Sequence, residues 1–198
     1  DLALVDDCRQ VVRVCDERFV RVDGLANIAA DTDRGTLEST TVEFWDRMFA
    51  VNVRAPFLLT QEAARIMRRE QTPGAIVNVG SVAAYCGGAI LMAYSTTKGA
   101  LSTFTKNCAQ ALRQDRIRVN GIQLGWTDTP AEHVVQKGQG SPEDWLETAE
   151  RESPFGRLLK PLDVARLCAY LLGEESGIVT GSLIDYSQRV MGVYPSEP

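Results

Sequence analysis

Short apolar stretches alternate with longer amphipathic stretches along this sequence, and that alternation constrains the fold more than any other feature. The run Ala-Ile-Val-Asn-Val-Gly-Ser at 75–81 follows a Thr-Pro-Gly break at 72–74 and is typical of a buried strand. We predict further strands at 25–30, 117–124 and 182–186. The segments between them carry apolar residues three and four positions apart, which is typical of helices that pack against a sheet.

The predicted helices cover residues 6–19, 42–69, 93–114 and 162–172. Strands and helices in regular succession indicate parallel βαβ units, with helices on both faces of the sheet. The predicted fold class is therefore α/β, with a doubly wound parallel sheet of the Rossmann type. A chain of 198 residues is long enough to form one such domain with a sizeable core.

The charge balance and the cysteine pattern exclude several kinds of function. Lys and Arg number 21 and Asp and Glu 26, whereas a protein that binds nucleic acid needs a positive surface. No uncharged apolar run approaches the roughly 18 residues of a membrane helix, and the first residues lack the basic region of a signal peptide. The five cysteines are scattered, and a lone histidine, His133, excludes a multi-histidine metal site. We expect a cytoplasmic protein without a nucleic-acid partner, membrane contact or metal.

A serine, a tyrosine and a lysine form the most informative group of residues. Ser81 ends the strand 75–81, at the carboxyl edge where open α/β sheets bind their ligands. Tyr94 and Lys98 lie four residues apart on a predicted helix and so share one face. Lowering the pKa of a tyrosine from about 10 to about 7 requires roughly 4 kcal/mol, which one positive charge about 4 Å away supplies. The group predicts an acid–base tyrosine whose pKa the lysine lowers, with the serine holding the substrate oxygen.

The tyrosine–lysine spacing alone is weak evidence, because it arises by chance in roughly one such sequence in ten. A surface pair with a buried aromatic ring is the alternative. Asn52 adds a further feature, since Pro56 lacks the N–H that would bond the Asn52 carbonyl within the predicted helix. A carbonyl freed in this way can bind a water molecule, and the alternative here is a kink without a role.

Four motifs occur in one order along the chain: Asn27-Ile28-Ala29-Ala30, Asn52, Ser81 and Tyr94-Ser95-Thr96-Thr97-Lys98. In combination they resemble the short-chain dehydrogenase/reductase family, and the resemblance reaches Thr180-Gly181. It implies that Tyr94 is the general acid/base, that Lys98 binds ribose and lowers the pKa of the tyrosine, and that Ser81 orients the substrate. It also implies that the main chain of Asn52 holds a water linked to Lys98. The implied reaction interconverts a secondary alcohol and a ketone of a small molecule by hydride transfer, with NAD or NADP.

The resemblance implies a set of cofactor contacts as well. The matching positions are Asp1, Asn27, Ala29, Ala30, Tyr94, Lys98, Gly125, Thr127 and Thr129. Asp1 would meet the adenine, whereas the segment from Gly125 to Thr129 would touch the nicotinamide. Ile28 and Ala30 depart from the N-N-A-G pattern of the family. The glycine-rich segment T-G-x-x-x-G-x-G does not occur, so we expect residues 1–198 to be a single domain whose N-terminal strands are not represented.

Residues 128–157 correspond to the substrate loop of the family, and Asp128, His133 and Trp145 are candidate substrate contacts. An exposed helical lid around a packed tryptophan is the favoured alternative for this loop. The family resemblance implies a homo-oligomer, a dimer or a tetramer. Separately, the tail at 190–198 could reach a neighbouring subunit. A second hypothesis is a non-catalytic oligomeric scaffold that has lost cofactor binding. The missing glycine-rich segment and Ala30 motivate it, and the coding sequence upstream of Asp1 would discriminate the two.

Overall fold

The computed structural model describes residues 1–192. Four strands form one parallel sheet in the order β1 (Gly24–Asn27), β2 (Gly74–Ser81), β3 (Ile117–Leu124) and β4 (Leu183–Tyr186). The last six residues of the tail predicted to contact another subunit lie outside the described range.

The helices of the described residues are α1 (Val5–Phe19), α2 (Val42–Phe49), α3 (Ala55–Arg69), α4 (Met92–Leu112), α5 (Pro130–Gly138), α6 (Trp145–Glu152) and α7 (Pro161–Leu172). A π-helical turn, Ala50–Arg54, joins α2 to α3, so the single helix predicted at 42–69 is interrupted. We attribute this wider turn to Pro56, which has no N–H to donate to the Asn52 carbonyl. Short 3₁₀ turns occur at Val82–Tyr85, Arg113–Asp115 and Glu174–Ser176.

Both faces of β2 are buried, as expected for the interior of a parallel sheet. Successive side chains of a strand point to opposite faces. Ile76 accordingly belongs to a core that contains residues of α1, α3 and α4, whereas Val77 packs with residues of α7. Helices therefore cover both faces of the sheet, and the predicted doubly wound α/β class is confirmed.

The carboxyl edge of the sheet is stepped. β1 ends at Asn27, which pairs with Asn78, and the predicted strand residues 28–30 lie beyond the sheet and are exposed. β2 continues to Ser81, which pairs with Leu124 of β3. At this edge the main chain after β1 thus lies beside the end of β2. Ligands of α/β proteins bind at this edge.

No helix among residues 1–192 is long and apolar enough to cross a lipid bilayer. Within the same range, no group of three or more His, Cys, Asp or Glu side chains is arranged to hold a metal ion. All five cysteines are free, with Cys8 and Cys168 buried.

Candidate active site

Ser81, Tyr94 and Lys98 come together at the carboxyl end of β2. Ser81 is the last residue of β2, and its Oγ accepts a hydrogen bond from the Ala83 N–H at 3.1 Å. Tyr94 lies in the first turn of α4, and the Ser81 side chain has a lowering effect on its pKa. Lys98 follows one helical turn later, and its Nζ lies 5.6 Å from the centre of the Tyr94 ring.

The Lys98 ammonium is a buried charge with spare hydrogen-bonding capacity. The residue is 3% exposed, and its Nζ donates to the Val79 carbonyl at 3.0 Å. Burial lowers the pKa of Lys98 to about 8. An ammonium has three donors, and among the described residues Val79 is the only hydrogen-bond partner of this one. Two donors thus remain for a ligand.

The pKa of Tyr94 departs from the sequence-based prediction. Burial raises this pKa above its ordinary value, and it outweighs the lowering effects of the Ser81 hydroxyl and of Arg34. The net shift is thus opposite to the predicted one, and Lys98 is not among its causes, so the lowering by Lys98 stays a prediction. A positive charge near the ring favours the phenolate, whereas the partial burial of Tyr94 and the burial of Lys98 disfavour the charged form of each group.

Asn52 acts through its side chain in this structure. It lies in the π-helical turn and is 1% exposed. Its Nδ2 donates to Thr97 Oγ1 at 3.1 Å, and that hydroxyl donates to the Tyr94 carbonyl at 2.7 Å. The same amide bonds the main chain of Asp31, beyond β1. These contacts were missed by the sequence analysis, whereas the predicted water on the Asn52 carbonyl stays a prediction.

The predicted cofactor residues at the end of β1 differ in their surroundings. Asn27 is buried, and its Nδ2 donates to Asn78 Oδ1 at 2.7 Å, while Asn78 donates to Thr105 at 2.9 Å. This row of polar side chains crosses the sheet, so the Asn27 amide has a structural partner. Ala29 and Ala30 are exposed just beyond it and present no side chain longer than a methyl group.

The segment after β3 is held by its own hydrogen bonds. The Gly125 N–H donates to the Tyr186 carbonyl at 3.0 Å, and Thr127 Oγ1 donates to the Gly125 carbonyl at 3.1 Å. Thr129 Oγ1 accepts from the Glu132 N–H at 3.1 Å and so caps α5. The nicotinamide contacts predicted for this segment stay predictions.

Asp1 precedes α1 at the exposed start of the chain. Its carboxylate accepts a hydrogen bond from the Ala3 N–H at 2.8 Å. This local turn leaves the predicted contact with adenine untested.

A cavity of about 630 Å³ lies between the segment after Ser81, the start of α4 and the substrate loop. Its lining includes Arg34, Val82, Leu91, Gly125, Trp126, Gln136, Ala149, Glu152, Leu158, Leu159 and Arg189. The lining is mostly apolar, and it adjoins Ser81 through Val82. The cavity therefore borders the segment that follows Ser81, while Ser81, Tyr94 and Lys98 themselves do not line it.

The substrate loop is helical, as the favoured alternative predicted. It forms α5 and α6, and Trp145 stacks on Trp126 with ring centres 5.8 Å apart. His133 packs edge-on against Trp145, and its Nε2 lies 2.8 Å from Asp128 Oδ1. The three predicted substrate contacts therefore pack together, whereas Trp126, which the sequence analysis did not single out, lines the cavity.

A family model described as enoyl-(acyl carrier protein) reductase matches residues 1–187, which include every predicted site residue. The chain belongs to the short-chain dehydrogenase/reductase family. The resemblance seen in the sequence motifs is confirmed, and the chain is similar to dehydrogenases and reductases throughout the match.

Curated members of the short-chain dehydrogenase/reductase family resemble this chain over most of its length. Short chain dehydrogenase adrF of Penicillium rubens is 34% identical over 190 residues, which are 89% of this chain and 71% of that protein. The 3-oxoacyl-(acyl-carrier-protein) reductase FabG of Thermotoga maritima is 33% identical over 179 residues, 90% and 70% of the two chains. Cyclopentanol dehydrogenase of a Comamonas species is 34% identical over 162 residues, 82% and 63% of the two.

Solved structures show the same fold. A Serratia marcescens short-chain dehydrogenase/reductase with two phenylalanine-to-leucine changes superposes with a TM-score of 0.82 at 30% identity, covering 95% of this chain and 73% of that one. The structure of ElxO with NADP bound has a TM-score of 0.84 at 22% identity and covers 95% and 75% of the two chains. The second likeness concerns the fold alone.

Proposed function

We propose that the protein is an NAD(P)-dependent oxidoreductase that interconverts a secondary alcohol and a ketone of a small molecule, with Tyr94 as general acid/base. The observation that carries this proposal is the meeting of Tyr94, Ser81 and a buried Lys98 beside a cavity of about 630 Å³. Cyclopentanol, which gives one relative its name, is a secondary alcohol.

Tyr94 and Ser81 would act on the same substrate oxygen. In the reducing direction, the Tyr94 hydroxyl donates its proton to the carbonyl oxygen while the Ser81 hydroxyl holds that oxygen by a hydrogen bond. In the oxidising direction, the Tyr94 phenolate accepts the hydroxyl proton. Because burial raises the pKa of Tyr94, the phenol is protonated at neutral pH, and this favours its acid role in ketone reduction.

The donor chemistry of the site fits a nicotinamide cofactor. The two free donors of the Lys98 ammonium suit a ribose diol, and the bare methyl groups of Ala29 and Ala30 leave room for a flat ligand. The further residues that would hold the cofactor are Asp1, Asn27, Tyr94, Gly125, Thr127 and Thr129. When bound, the cofactor supplies or accepts the hydride. The choice between NAD and NADP stays open.

We infer that the substrate is neutral and largely apolar. The cavity is lined mainly by side chains such as Val82, Leu91 and Trp126. Its two arginines, Arg34 and Arg189, are matched by Glu152 in the lining and by Glu132, which pairs with Arg34. A site without net charge of its own offers no advantage to a charged substrate, which would lose its hydration on entry.

The test is the Tyr94→Phe variant, which removes one hydroxyl group and no packing surface. We expect turnover to fall by about 10²–10⁴-fold with cyclopentanol and with a 3-oxoacyl thioester as probes, as measured by the absorbance of NADH or NADPH. Tyr170→Phe, an exposed tyrosine on α7, is the matched control and should leave turnover unchanged. Equal turnover in Tyr94→Phe and the native protein would contradict the assigned mechanism.

We further propose that the protein is a homo-oligomer, a dimer or a tetramer. Phe57 of α3 is 44% exposed and packs edge-on against Phe104 of α4, so these helices present an apolar surface. Light scattering of the purified protein tests the subunit number, and a monomer at micromolar concentration would contradict the proposal. Location in the cytoplasm stays a prediction from the sequence.

A further inference from the structure

An ion pair joins the substrate loop to the opposite side of the cavity. Arg34 lies in the segment between β1 and α2, and Glu132 lies in the first turn of α5. Nη2 of Arg34 is 3.2 Å from Oε1 of Glu132, and the two side chains are only 25% and 12% exposed. The Glu132 carboxylate also accepts from Trp126 Nε1 at 2.9 Å and from Gln136 Nε2 at 2.6 Å.

Main-chain hydrogen bonds hold Arg34 at a set place relative to Tyr94. The Gly35 N–H donates to the Ile90 carbonyl at 2.9 Å, and the Met92 N–H donates to the Gly35 carbonyl at 3.2 Å. Met92 begins α4 and stands two residues before Tyr94. The segment that carries Arg34 is therefore fastened to the start of the catalytic helix.

We propose that Arg34 and Glu132 are paired positioning residues, which hold the substrate loop against the start of α4 and balance the charge around the Tyr94 hydroxyl group. This inference rests on the proposed function only for the catalytic role of Tyr94. Nothing in the sequence pattern pointed to the pair, because 98 positions separate its members.

Ser81 ends β2, and Lys98 follows Tyr94 by one turn of α4. Arg34 precedes Gly35, whose carbonyl accepts from the Met92 N–H at the start of α4, and Glu132 of α5 pairs with Arg34. Arg34 lowers the pKa of Tyr94 and Glu132 raises it, because a positive charge favours the phenolate and a negative charge disfavours it. Because Arg34 and Glu132 are in contact, their opposite effects on the pKa of Tyr94 largely cancel. Removing one of them exposes Tyr94 to the other.

The experiment uses Arg34→Met and Glu132→Gln, each of which keeps most of the side-chain volume. The phenolate absorption of Tyr94 is titrated by subtracting the spectrum of the same variant with Tyr94→Phe, since the chain has five tyrosines. We expect the pKa of Tyr94 to rise in Arg34→Met and to fall in Glu132→Gln, each by about 0.5–1 unit. The double variant should return close to the native value.

Hydrogen exchange of the α5 amides tests the positioning part of the proposal, namely that the pair holds the substrate loop in place. We expect faster exchange in both single variants and in the double variant. Glu62→Gln and Arg65→Met, which break a pair on the surface of α3, are the matched controls and should change neither readout. Thermal unfolding of every variant verifies that it is folded before titration.

Shifts of the same sign in both single variants would overturn the charge-balance part, because mere loosening exposes Tyr94 to water and lowers its pKa in each case. Unchanged exchange in α5 would overturn the positioning part. The titration needs no substrate, so failure of the proposed function would appear separately, as equal turnover in the native protein and Tyr94→Phe.

Discussion

The side-chain amide of Asn52 pairs with both main-chain polar groups of Asp31. Oδ1 of Asn52 accepts from the Asp31 N–H at 2.7 Å, and Nδ2 donates to the Asp31 carbonyl at 2.8 Å. Since Nδ2 also bonds Thr97 of α4, one buried amide connects the segment after β1 to that helix. The position of the loop that carries Arg34 depends on this connection, because Asp31 lies three residues before Arg34.

Replacing Asn52 with Ala should therefore destabilise the protein strongly. The change leaves the part-buried N–H and carbonyl of Asp31 without their partner, and a fully buried polar group left unpaired costs about 1–3 kcal/mol. We expect a loss of about 2–4 kcal/mol in the free energy of unfolding, measured by urea denaturation. Asn107→Ala, at an exposed position of α4, is the control and should stay within about 0.5 kcal/mol of the native protein. A loss in Asn52→Ala no larger than in the control would refute this reading.

Lys98 should make the stability depend on pH in the alkaline range. Its pKa falls from 10.5 to about 8 on folding, so the folded state binds fewer protons than the unfolded chain between these values. Stability therefore rises with pH across this window, as the cost of burying the charge disappears. We compare the unfolding free energies of the native protein and of Lys98→Met at each pH. From about pH 7 to pH 10.5, the native protein should gain about 3 kcal/mol relative to the variant. A difference that stays constant with pH would show that burial does not shift the pKa of Lys98.

Most of the fold followed from local sequence patterns. The strand at β2 was predictable because it is a short apolar run between a Thr-Pro-Gly break and a serine, and β3 has the same character. The predicted end of β1 was three residues too late, since Ile28, Ala29 and Ala30 are apolar but lie beyond the sheet and are exposed. The π-helical turn was foreseen only as a defect at Pro56, because its form depends on the packing of α2 and α3.

The candidate site was predictable only where its residues lie close in sequence or at strand ends. Tyr94 and Lys98 share a helix face, and Ser81 ends a strand. Their proximity could therefore be predicted from their positions in the sequence. The ion pair of Arg34 and Glu132 joins distant segments, and no local pattern records it. The raised pKa of Tyr94 was missed for a related reason, since burial depends on the whole fold.

Gly125 should resist even the smallest substitution. A Cβ at this position would lie 2.7 Å from Ser187 Oγ and 3.0 Å from Ser187 Cβ. We expect Gly125→Ala to cost about 1–3 kcal/mol in unfolding free energy, because the segment after β3 must move away from the end of β4. Adding Ser187→Gly removes both side-chain contacts but leaves the contact with Ser187 Cα at 3.1 Å, so it should recover part of the loss. Gly138→Ala, where a Cβ would meet no atom within 4 Å, is the matched control. Absence of recovery in the double variant would show that the Ser187 side chain is not the source of the strain.

Substitutions of Thr129 should show whether its hydroxyl caps α5, binds the cofactor or does both. Its Oγ1 caps α5 by accepting from the Glu132 N–H at 3.1 Å, and loss of such a cap costs about 1 kcal/mol. We expect Thr129→Ala to lower the unfolding free energy by about this amount, whereas Thr129→Ser and Thr129→Asp keep a capping oxygen and retain stability. Thr103→Ala, at an exposed position inside α4, should instead stabilise slightly, because alanine is the better helix former.

The aspartate variant separates the two roles of Thr129, because a carboxylate caps the helix but cannot donate a hydrogen bond. If the hydroxyl also donates to the nicotinamide carboxamide, Thr129→Asp should bind NADH or NADPH more weakly than Thr129→Ser at equal stability. Fluorescence titration of the cofactor measures this difference. Equal affinity in the two variants would leave Thr129 with a structural role alone, and the nicotinamide contact predicted from the family pattern would be wrong at this position.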